Sequence, residues 1–229
     1  MIIIAVCAVG YMALPRGAQP DDTNPPPEQV ADTVTDVEGN VYKTIKIGDQ
    51  VWMAENLKTT KYNDGADIPN VAGNSAWGSL STPAYCWLKN DKANRETYGA
   101  LYNWYAVDTG KLAPNGWHIP TEAEWETLAK TLGGEAIAGG KMKEKGTAHW
   151  FSPNTGATNE SGFNALPSSC RNYDGQTFYT LGDGCYFWAS TEFDATNAWV
   201  RSVLCDSTGL KSFNAAKSYG RSIRCVKDP

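Results

Sequence analysis

The residues that most often carry catalysis or bind metals are scarce in this sequence. It contains two histidines, His118 and His149, and six cysteines among 229 residues. Two histidines leave little material for a zinc site or for a histidine-based catalytic triad. Six cysteines in an exported chain first suggest disulfides, whereas loss or lipidation of Cys7 would leave five and therefore at least one unpaired thiol.

Three closely spaced glutamates, Glu122, Glu124 and Glu126, are the other group that could do chemistry. Paired carboxylates can act as general acid and base. Their spacing is better explained by the start of a helix, because Thr121 and Glu124 match a capping box, in which each side chain binds a backbone N–H of the first turn. Acidic residues there also face the positive end of the helix dipole. We therefore predict no catalytic residue.

Composition and charge describe a folded chain with many turns. Hydrophobic residues make up 41% and charged residues 20%, and 22 glycines with 12 prolines disfavour long helices. The formal net charge is −5, and no segment resembles a basic stripe that could displace counterions from phosphates. We therefore expect no nucleic-acid partner.

Two segments are predicted ahead of the main domain. Residues 1–18 open with an apolar run that is too short to span a bilayer but suits an export signal, and Cys7 resembles a lipoprotein acceptor site. A buried N-terminal strand is the alternative. Residues 19–35 are proline-rich and acidic, as is typical of an extended linker or stalk. We expect export to the cell surface or outer membrane, with membrane contact only through a lipid anchor or a pilus.

Residues 36–229 have the pattern of an α+β domain. Alternation over 41–47 and a Gly48-Asp49 turn predict a β-hairpin with residues 50–53. The loop 59–82 is too long for a plain connector, so it should pack through its own side chains or carry binding residues.

Two short helices and a meander of strands complete the predicted domain. The clearest helix signal runs over 120–134, where apolar residues share one face and Gly133-Gly134 supplies the stop. A second helix is predicted over 96–107. The last third predicts an antiparallel meander, with strands at 187–190, 198–204, 211–216 and 221–226.

Five short motifs resemble those of one family when they are taken together and in order. They are 51–57 (VWMAENL), 98–104 (YGALYNW), 116–121 (GWHIPT), 162–167 (GFNALP) and 222–226 (SIRCV). The set resembles the Fibrobacter succinogenes major paralogous domain family over about residues 36–228. The segment 117–125 is also similar to the formylglycine-generating enzyme family. This resemblance implies a C-type-lectin-like fold, with two short helices packed on small antiparallel sheets and long loops.

The resemblance does not carry an activity with it. The generating enzymes hold copper with a closely spaced cysteine pair near the C-terminal end, whereas here nineteen residues separate Cys205 from Cys225. Within residues 36–229, the Glu-Pro-Asn and Gln-Pro-Asp tripeptides by which sugar-binding C-type lectins ligate calcium do not occur. We therefore expect no metal and no other cofactor.

A second group with this fold suggests where a ligand would bind. The variable proteins of diversity-generating retroelements are mutagenised at adenines in their C-terminal domain, which turns Asn codons into Tyr, Ser, Asp, Gly, Cys, Ala and others. Residues 170–221 are rich in these types. Trp188, Trp199 and Arg224 lie among or just beyond them as expected framework. Ordinary drift of a paralogous domain is the alternative.

Two sets of residues are predicted to bind the ligand. In the strand 199–204 we expect Trp199, Arg201 and Val203 to face the core and the alternate residues to be exposed, because Ser202 is the less costly one to leave in water. The strand and edge residues predicted to contact the ligand are Val200, Ser202, Leu204, Asp206, Ser212, Asn214, Ala216 and Arg221. The aromatic residues predicted to supply contact area, with loop packing as their alternative role, are Tyr173, Phe178, Tyr179, Tyr186 and Phe187.

The expected function is that of a surface-displayed, adhesin-like domain that recognises an unknown protein or glycan without catalysis. A copper-dependent thiol oxidase of the generating-enzyme type is the first alternative. A structural pilus or surface component is the second.

Overall fold

The computed structural model describes residues 32–175 and 178–229. The predicted export segment 1–18 and residues 19–31 of the linker therefore lie outside the described residues. Strand β1 (Thr33–Thr35) pairs antiparallel with the next strand and buries Val34, so the folded domain begins before the predicted boundary at residue 36. No helix within the described part of the chain has the length and apolar character needed to cross a bilayer.

The first sheet brings both ends of the described domain together. Its strand order is β1-β2-β3-β10-β6. The predicted hairpin is confirmed, since β2 pairs antiparallel with β3. The bounds of the remaining strands of this sheet are β2 (Val41–Ile47), β3 (Gln50–Met53), β6 (Trp117–His118) and β10 (Val226–Lys227).

The segment 221–226 does not form the fourth strand of a meander, as the sequence predicted. Val226 pairs with Trp52 and His118 in the first sheet, whereas Arg221 and Ser222 each form a single β-bridge to another segment. Residues 221–226 are all buried, because this segment runs between packed elements on both sides. Its apolar and polar residues therefore do not mark an inner and an outer face.

Five α-helices occur in the described residues. Four of them have eight residues or fewer: α1 (Asn74–Gly78), α2 (Arg95–Tyr98), α3 (Trp104–Asp108) and α5 (Glu135–Met142). The predicted helix at 120–134 is confirmed as α4 (Glu122–Thr131), with the full capping box of Thr121 and Glu124. Short 3-10 turns cover Leu88–Asn90 and Lys92–Asn94.

The continuous helix predicted over 96–107 is wrong. Gly99 adopts a positive φ of 73° and ends α2, and its position lies so close to Asn56 that a Cβ there would clash. The chain then forms β5 (Ala100–Tyr102), which pairs with β4 (Tyr85–Trp87). Asn103 caps α3 by accepting from the Ala106 N–H. The spacing of Tyr98, Leu101 and Tyr102 suggested one face of a helix. The structure buries these three residues through the end of α2 and the strand β5 instead.

The second large sheet consists of β7 (Gly184–Glu192), β8 (Asn197–Leu204) and β9 (Lys211–Ala216), all antiparallel. One of its faces packs on α4 and α5, where Phe187 and Val203 join Trp125 and Leu128 in the core. The opposite face, with Trp188 and Val200, joins a second core cluster. The central strand β8 is therefore buried on both sides.

The predicted division of β8 into an inner and an exposed face is therefore wrong. Val200 and Ser202 are fully buried, and Leu204 is half-buried. The neighbouring register is also different, since Ser212 lies opposite Arg201 and not opposite the Val200 set. Trp199, predicted as buried framework, is only half-buried against Phe193, with ring centroids 5.1 Å apart.

A buried lysine holds three loop carbonyls beside this sheet. Lys143 follows α5 and is fully buried. Its Nζ donates to the carbonyl oxygens of Thr155, Leu204 and Ser207 at 2.8–3.0 Å. The ammonium group therefore joins the end of β8 to two loops.

Candidate functional site

One pocket in the described part of the chain is walled largely by aromatic rings, and we call it the aromatic pocket. Its volume is about 380 Å³. It is lined by Tyr173, Tyr179, Tyr186, Phe213, Asn214, Ala215, Ala216, Tyr219 and Arg221. All of these residues lie in the stretch 173–221, within the region where the sequence predicted ligand contacts.

The second sheet supplies the inner wall of the aromatic pocket. Tyr186 on β7 and Phe213 on β9 flank β8 on one sheet face, because each is aligned with a residue of β8 on that face. Their rings meet edge to face, with centroids 6.5 Å apart. Tyr219 follows a turn after β9, where its N–H donates to the Ala216 carbonyl at 3.0 Å.

Two tyrosines of the loop after Arg171 form the rim. Tyr173 is 54% exposed and packs against Tyr219, with ring centroids 5.5 Å apart. Tyr179 is 36% exposed and meets Tyr186 edge to face at 5.7 Å. Large exposed aromatic side chains beside a concave pocket are typical of recognition surfaces.

Arg221 forms the floor of the aromatic pocket. Its side chain is buried, and its guanidinium lies 4.6–5.6 Å from the ring centroids of Tyr186, Trp188, Phe213 and Tyr219. Two of its nitrogens, Nε and Nη1, are buried and have no hydrogen-bond partner among the described residues. Cation–π contacts stabilise the charge, but they do not replace oxygen acceptors for these N–H groups.

Burial shifts the proton equilibria of the pocket residues. It lowers the pKa of Arg221, because the charged form loses its hydration. It raises the pKa of Tyr186 and of Tyr219, so both phenols are neutral at physiological pH. The pocket therefore combines neutral hydroxyl groups at its wall with one cationic group at its floor.

Six of the predicted ligand-binding residues come together in this pocket. They are Tyr173, Tyr179, Tyr186, Asn214, Ala216 and Arg221. Asn214 is exposed, and Ala216 is half-buried, on the edge strand β9. These placements agree with a surface role.

The other predicted residues lie elsewhere. Phe187 is fully buried in the core, and Phe178 packs over Arg171 at 5.3 Å, so the alternative of packing applies to both. Ser212 donates its hydroxyl to Glu122 Oε1 at 2.6 Å. Asp206 is exposed but does not line the pocket. Val200 and Ser202 are buried and Leu204 is half-buried, as described above.

Sequence analysis missed three lining residues, Phe213, Ala215 and Tyr219. Phe213 and Ala215 alternate with the predicted Ser212, Asn214 and Ala216, so the choice of face on β9 was the source of the error. Tyr219 carried the same aromatic signal as Tyr186 and could have been included on that ground.

The glutamates of α4 act in the structure of the domain. Arg201 donates to both carboxylate oxygens of Glu122, at 3.1 and 2.6 Å, which ties β8 to the start of the helix. Glu124 completes the capping box and lies 2.7 Å from His118 Nε2. His118 Nδ1 lies 2.7 Å from Asp228 Oδ1, so this histidine joins α4 to the C-terminal residues.

The cysteines do not form disulfides within the described part of the chain. Cys86, Cys170, Cys185, Cys205 and Cys225 are buried and free, and Cys7 lies outside the described residues. Burial raises the pKa of Cys170 to about 11 and that of Cys185 to about 12, which disfavours the thiolate. No group of three or more His, Cys, Asp or Glu residues suited to a metal ion occurs in the ranges that the structure describes.

The fold and the pocket together define a mixed α+β domain, mostly sheet, with an aromatic pocket beside its three-stranded sheet. Residues 45–227 match the model of the Fibrobacter succinogenes major domain. The match covers most of the chain, so the chain belongs to this family, and the resemblance noted from the sequence motifs is confirmed. No curated protein and no solved structure matches the chain.

Proposed function

We propose that the domain is an exported ligand-binding module that recognises a protein or glycan through the aromatic pocket. The observation that carries the proposal is the convergence on one concavity of five aromatic rings and of the buried Arg221, two of whose nitrogens lack hydrogen-bond acceptors among the described residues. Pockets of a few hundred Å³ with apolar walls and few polar groups are the usual form of a ligand site. The exposed rings of Tyr173 and Tyr179 support the same conclusion, since they offer contact area without a covering element in the described residues.

We also propose that the domain has a C-type-lectin-like fold. We propose further that it is exported to the cell surface. What supports the fold is the combination of the two longest helices, α4 and α5, with small antiparallel sheets and long loops. Membrane contact in this proposal is limited to a lipid anchor or a pilus.

A diversified binding surface is the more specific form of the proposal. Every residue that lines the aromatic pocket falls within 170–221, the stretch whose composition matches adenine mutagenesis. A near-identical copy of the 170–228 coding stretch beside a reverse transcriptase, differing only at adenines, would support diversification. A copy that differs equally at all bases, or no such copy, would favour ordinary drift.

The proposed function can be tested by binding of the full chain to a glycan array and to extracted cell-surface proteins. A Tyr173→Ala, Tyr179→Ala double variant should lose the captured ligand, because it removes both rim rings. Phe193→Ala is the matched control, since Phe193 is a large exposed aromatic residue that does not line the pocket. Equal loss in both variants, or retention in the double variant, would contradict a site at the aromatic pocket.

Copper titration with a thiol-oxidation assay separates this proposal from a thiol oxidase. Tight copper binding by a pair of cysteines would favour the enzyme. Purification as a stable monomer would weigh against a structural pilus component.

A further inference from the structure

The aromatic pocket contains a buried positive charge without an anionic partner. Arg221 forms no ion pair with any carboxylate among the described residues. Its Nε and Nη1 atoms also lack hydrogen-bond acceptors there. A buried charge without a partner is costly, and a buried donor without an acceptor adds to the cost. The four surrounding rings offset only part of it.

The other buried arginines of the domain show that this arrangement is not a general feature of its fold. Arg171 also lies 4.6 Å from an aromatic centroid, that of Trp77, yet it donates to several backbone carbonyls. Arg224 lies 4.4 Å from the Phe163 centroid and donates to four oxygen acceptors. Arg201 is paired with Glu122 and Glu135. Arg221, the one of these four that lines the aromatic pocket, lacks such acceptors.

We infer that the ligand of the aromatic pocket carries a carboxylate, and that this carboxylate belongs to a uronic acid residue of a glycan. The inference rests on the proposed function of the pocket. A guanidinium group binds a carboxylate through two parallel N–H···O bonds. It has two edges that can do so, and each edge includes either Nε or Nη1, the two nitrogens that lack acceptors. Both atoms are closed off from solvent by the surrounding rings, so a ring at the pocket wall must turn aside when the carboxylate binds.

The remaining lining suits a sugar ring. The faces of Tyr186, Phe213 and Tyr219 can pack against the C–H groups of a pyranose. The concavity of about 380 Å³ has the size of a small-molecule site. A protein partner would need about 800 Å² of contact per side for a stable interface, most of it outside this pocket.

Three small probes test the inference on the unaltered full chain. They are methyl β-D-glucuronide, its methyl ester and methyl β-D-glucoside, with dissociation constants measured by NMR titration. The glucuronide should bind at least about tenfold more tightly than the ester or the glucoside, as expected for a charge-assisted hydrogen-bonded pair. Equal affinities for the three sugars would overturn the carboxylate while leaving a sugar-binding pocket in place.

Two variants then test which positive charge causes the preference for the glucuronide over its methyl ester. Arg221→Met should remove the preference for the glucuronide over its ester, and Lys211→Met should retain it, since Lys211 is an exposed cation on β9 that does not line the pocket. Loss of the preference in both variants would overturn the assignment to Arg221. If Arg221→Met does not fold, the ester comparison on the unaltered chain decides the inference by itself.

An acidic peptide is the competing source of a carboxylate. N-acetylglutamate amide that binds through Arg221 while the glucuronide does not bind would overturn the glycan assignment. If none of the probes binds, the inference fails. The proposed function fails separately, when the array and the protein extract give no ligand that depends on Tyr173 and Tyr179.

Discussion

Two buried arginines, three positions apart in the chain, lie in opposite kinds of environment. Arg224 donates to Asn56 Oδ1 and to the carbonyls of Met53, Phe163 and Asn164 at 2.5–3.1 Å, and so joins three separate segments. Arg221 is buried to the same degree, but it has aromatic rings in place of oxygens around two of its nitrogens.

The difference in hydrogen-bond acceptors distinguishes an arginine that holds the fold together from one that lines the pocket. The acceptors around Arg224 depend on its guanidinium as much as the guanidinium depends on them, because several backbone carbonyls would be left without a donor. Among residues 32–175 and 178–229, no backbone carbonyl depends on the side chain of Arg221 for a donor. A buried charge that lacks acceptors and lines a pocket supports the binding role proposed above for Arg221.

The largest effect is expected at the framework arginine. Arg224→Met should lower the free energy of unfolding by about 3–5 kcal/mol, because it leaves buried carbonyls and an amide oxygen unpaired. Chemical denaturation monitored by tryptophan fluorescence measures the change. A loss below about 1 kcal/mol would remove the distinction between the two arginines.

The helix cap of α4 provides a framework change of intermediate size. Thr121→Ala should cost about 1 kcal/mol, since the Glu124 N–H loses its acceptor and the capping box is broken. Affinity for any ligand of the aromatic pocket should not change. A selective loss of binding with unchanged stability would instead move the site to this helix.

At the pocket arginine we expect a stability change of less than about 1 kcal/mol, in either direction, for Arg221→Met. The methionine gives up the cation–π contacts but also relieves a buried charge that lacks partners. Its backbone bonds with Tyr102, both 2.9 Å long, are retained. The same denaturation experiment applies, and a loss as large as that of Arg224→Met would show that Arg221 belongs to the framework.

The pH dependence of stability is expected to carry a small contribution from His118. Burial lowers its pKa, but hydrogen bonds and charges from Asp228 and Glu124 outweigh burial and raise the pKa above its ordinary value near 6.5. The folded state therefore holds the proton more tightly, so this stabilisation is complete below about pH 6.5 and is lost as the pH rises through the folded pKa. The side chain is a third exposed, so solvent screening keeps the contribution under about 1 kcal/mol.

Thermal unfolding at several pH values, compared with His118→Asn, isolates this contribution. His149 is present in both proteins and cancels in the difference. An identical pH profile for the two proteins would show that the pairs with Asp228 and Glu124 add nothing to stability.

The smallest change in stability is expected at the edge of the pocket. Asn214 is exposed on β9, so Asn214→Tyr should alter stability by about 0.5 kcal/mol or less while changing ligand choice. Melting curves together with the probe affinities check both parts. Trp199 lies opposite Asn214 and is only half-buried, so Trp199→Ala should now cost less than the about 3–5 kcal/mol typical of a fully buried ring.

Patterns among neighbouring residues predicted the elements that form through contacts between near neighbours in the chain. Thr121 and Glu124 predicted the start of α4, and alternation over 41–47 predicted the first hairpin, because both depend on contacts between near neighbours. The family motifs predicted membership, and the stretch 170–221 contained every residue that lines the pocket.

What could not be predicted depends on packing between distant segments. Alternation along β8 cannot reveal that both of its faces are covered, since α4 with α5 and much of the second core cluster come from elsewhere in the chain. The break at Gly99 follows from its close approach to Asn56. Nor does the sequence distinguish the environment of Arg221 from that of Arg224, since the oxygen acceptors of Arg224 come from residues about 60 and 170 positions away.

The Lys143 ammonium binds converging carbonyl oxygens from separate loops, as a calcium ion does in some extracellular domains. Here the cation is a side chain of the protein and cannot diffuse away, so its presence at the three carbonyls does not depend on a concentration in solution. We therefore expect the junction of β8 with its two loops to hold in the presence of a chelator. In the exported module proposed above, such a junction would keep the geometry of this sheet through changes in ionic surroundings that loosen metal-dependent binding modules.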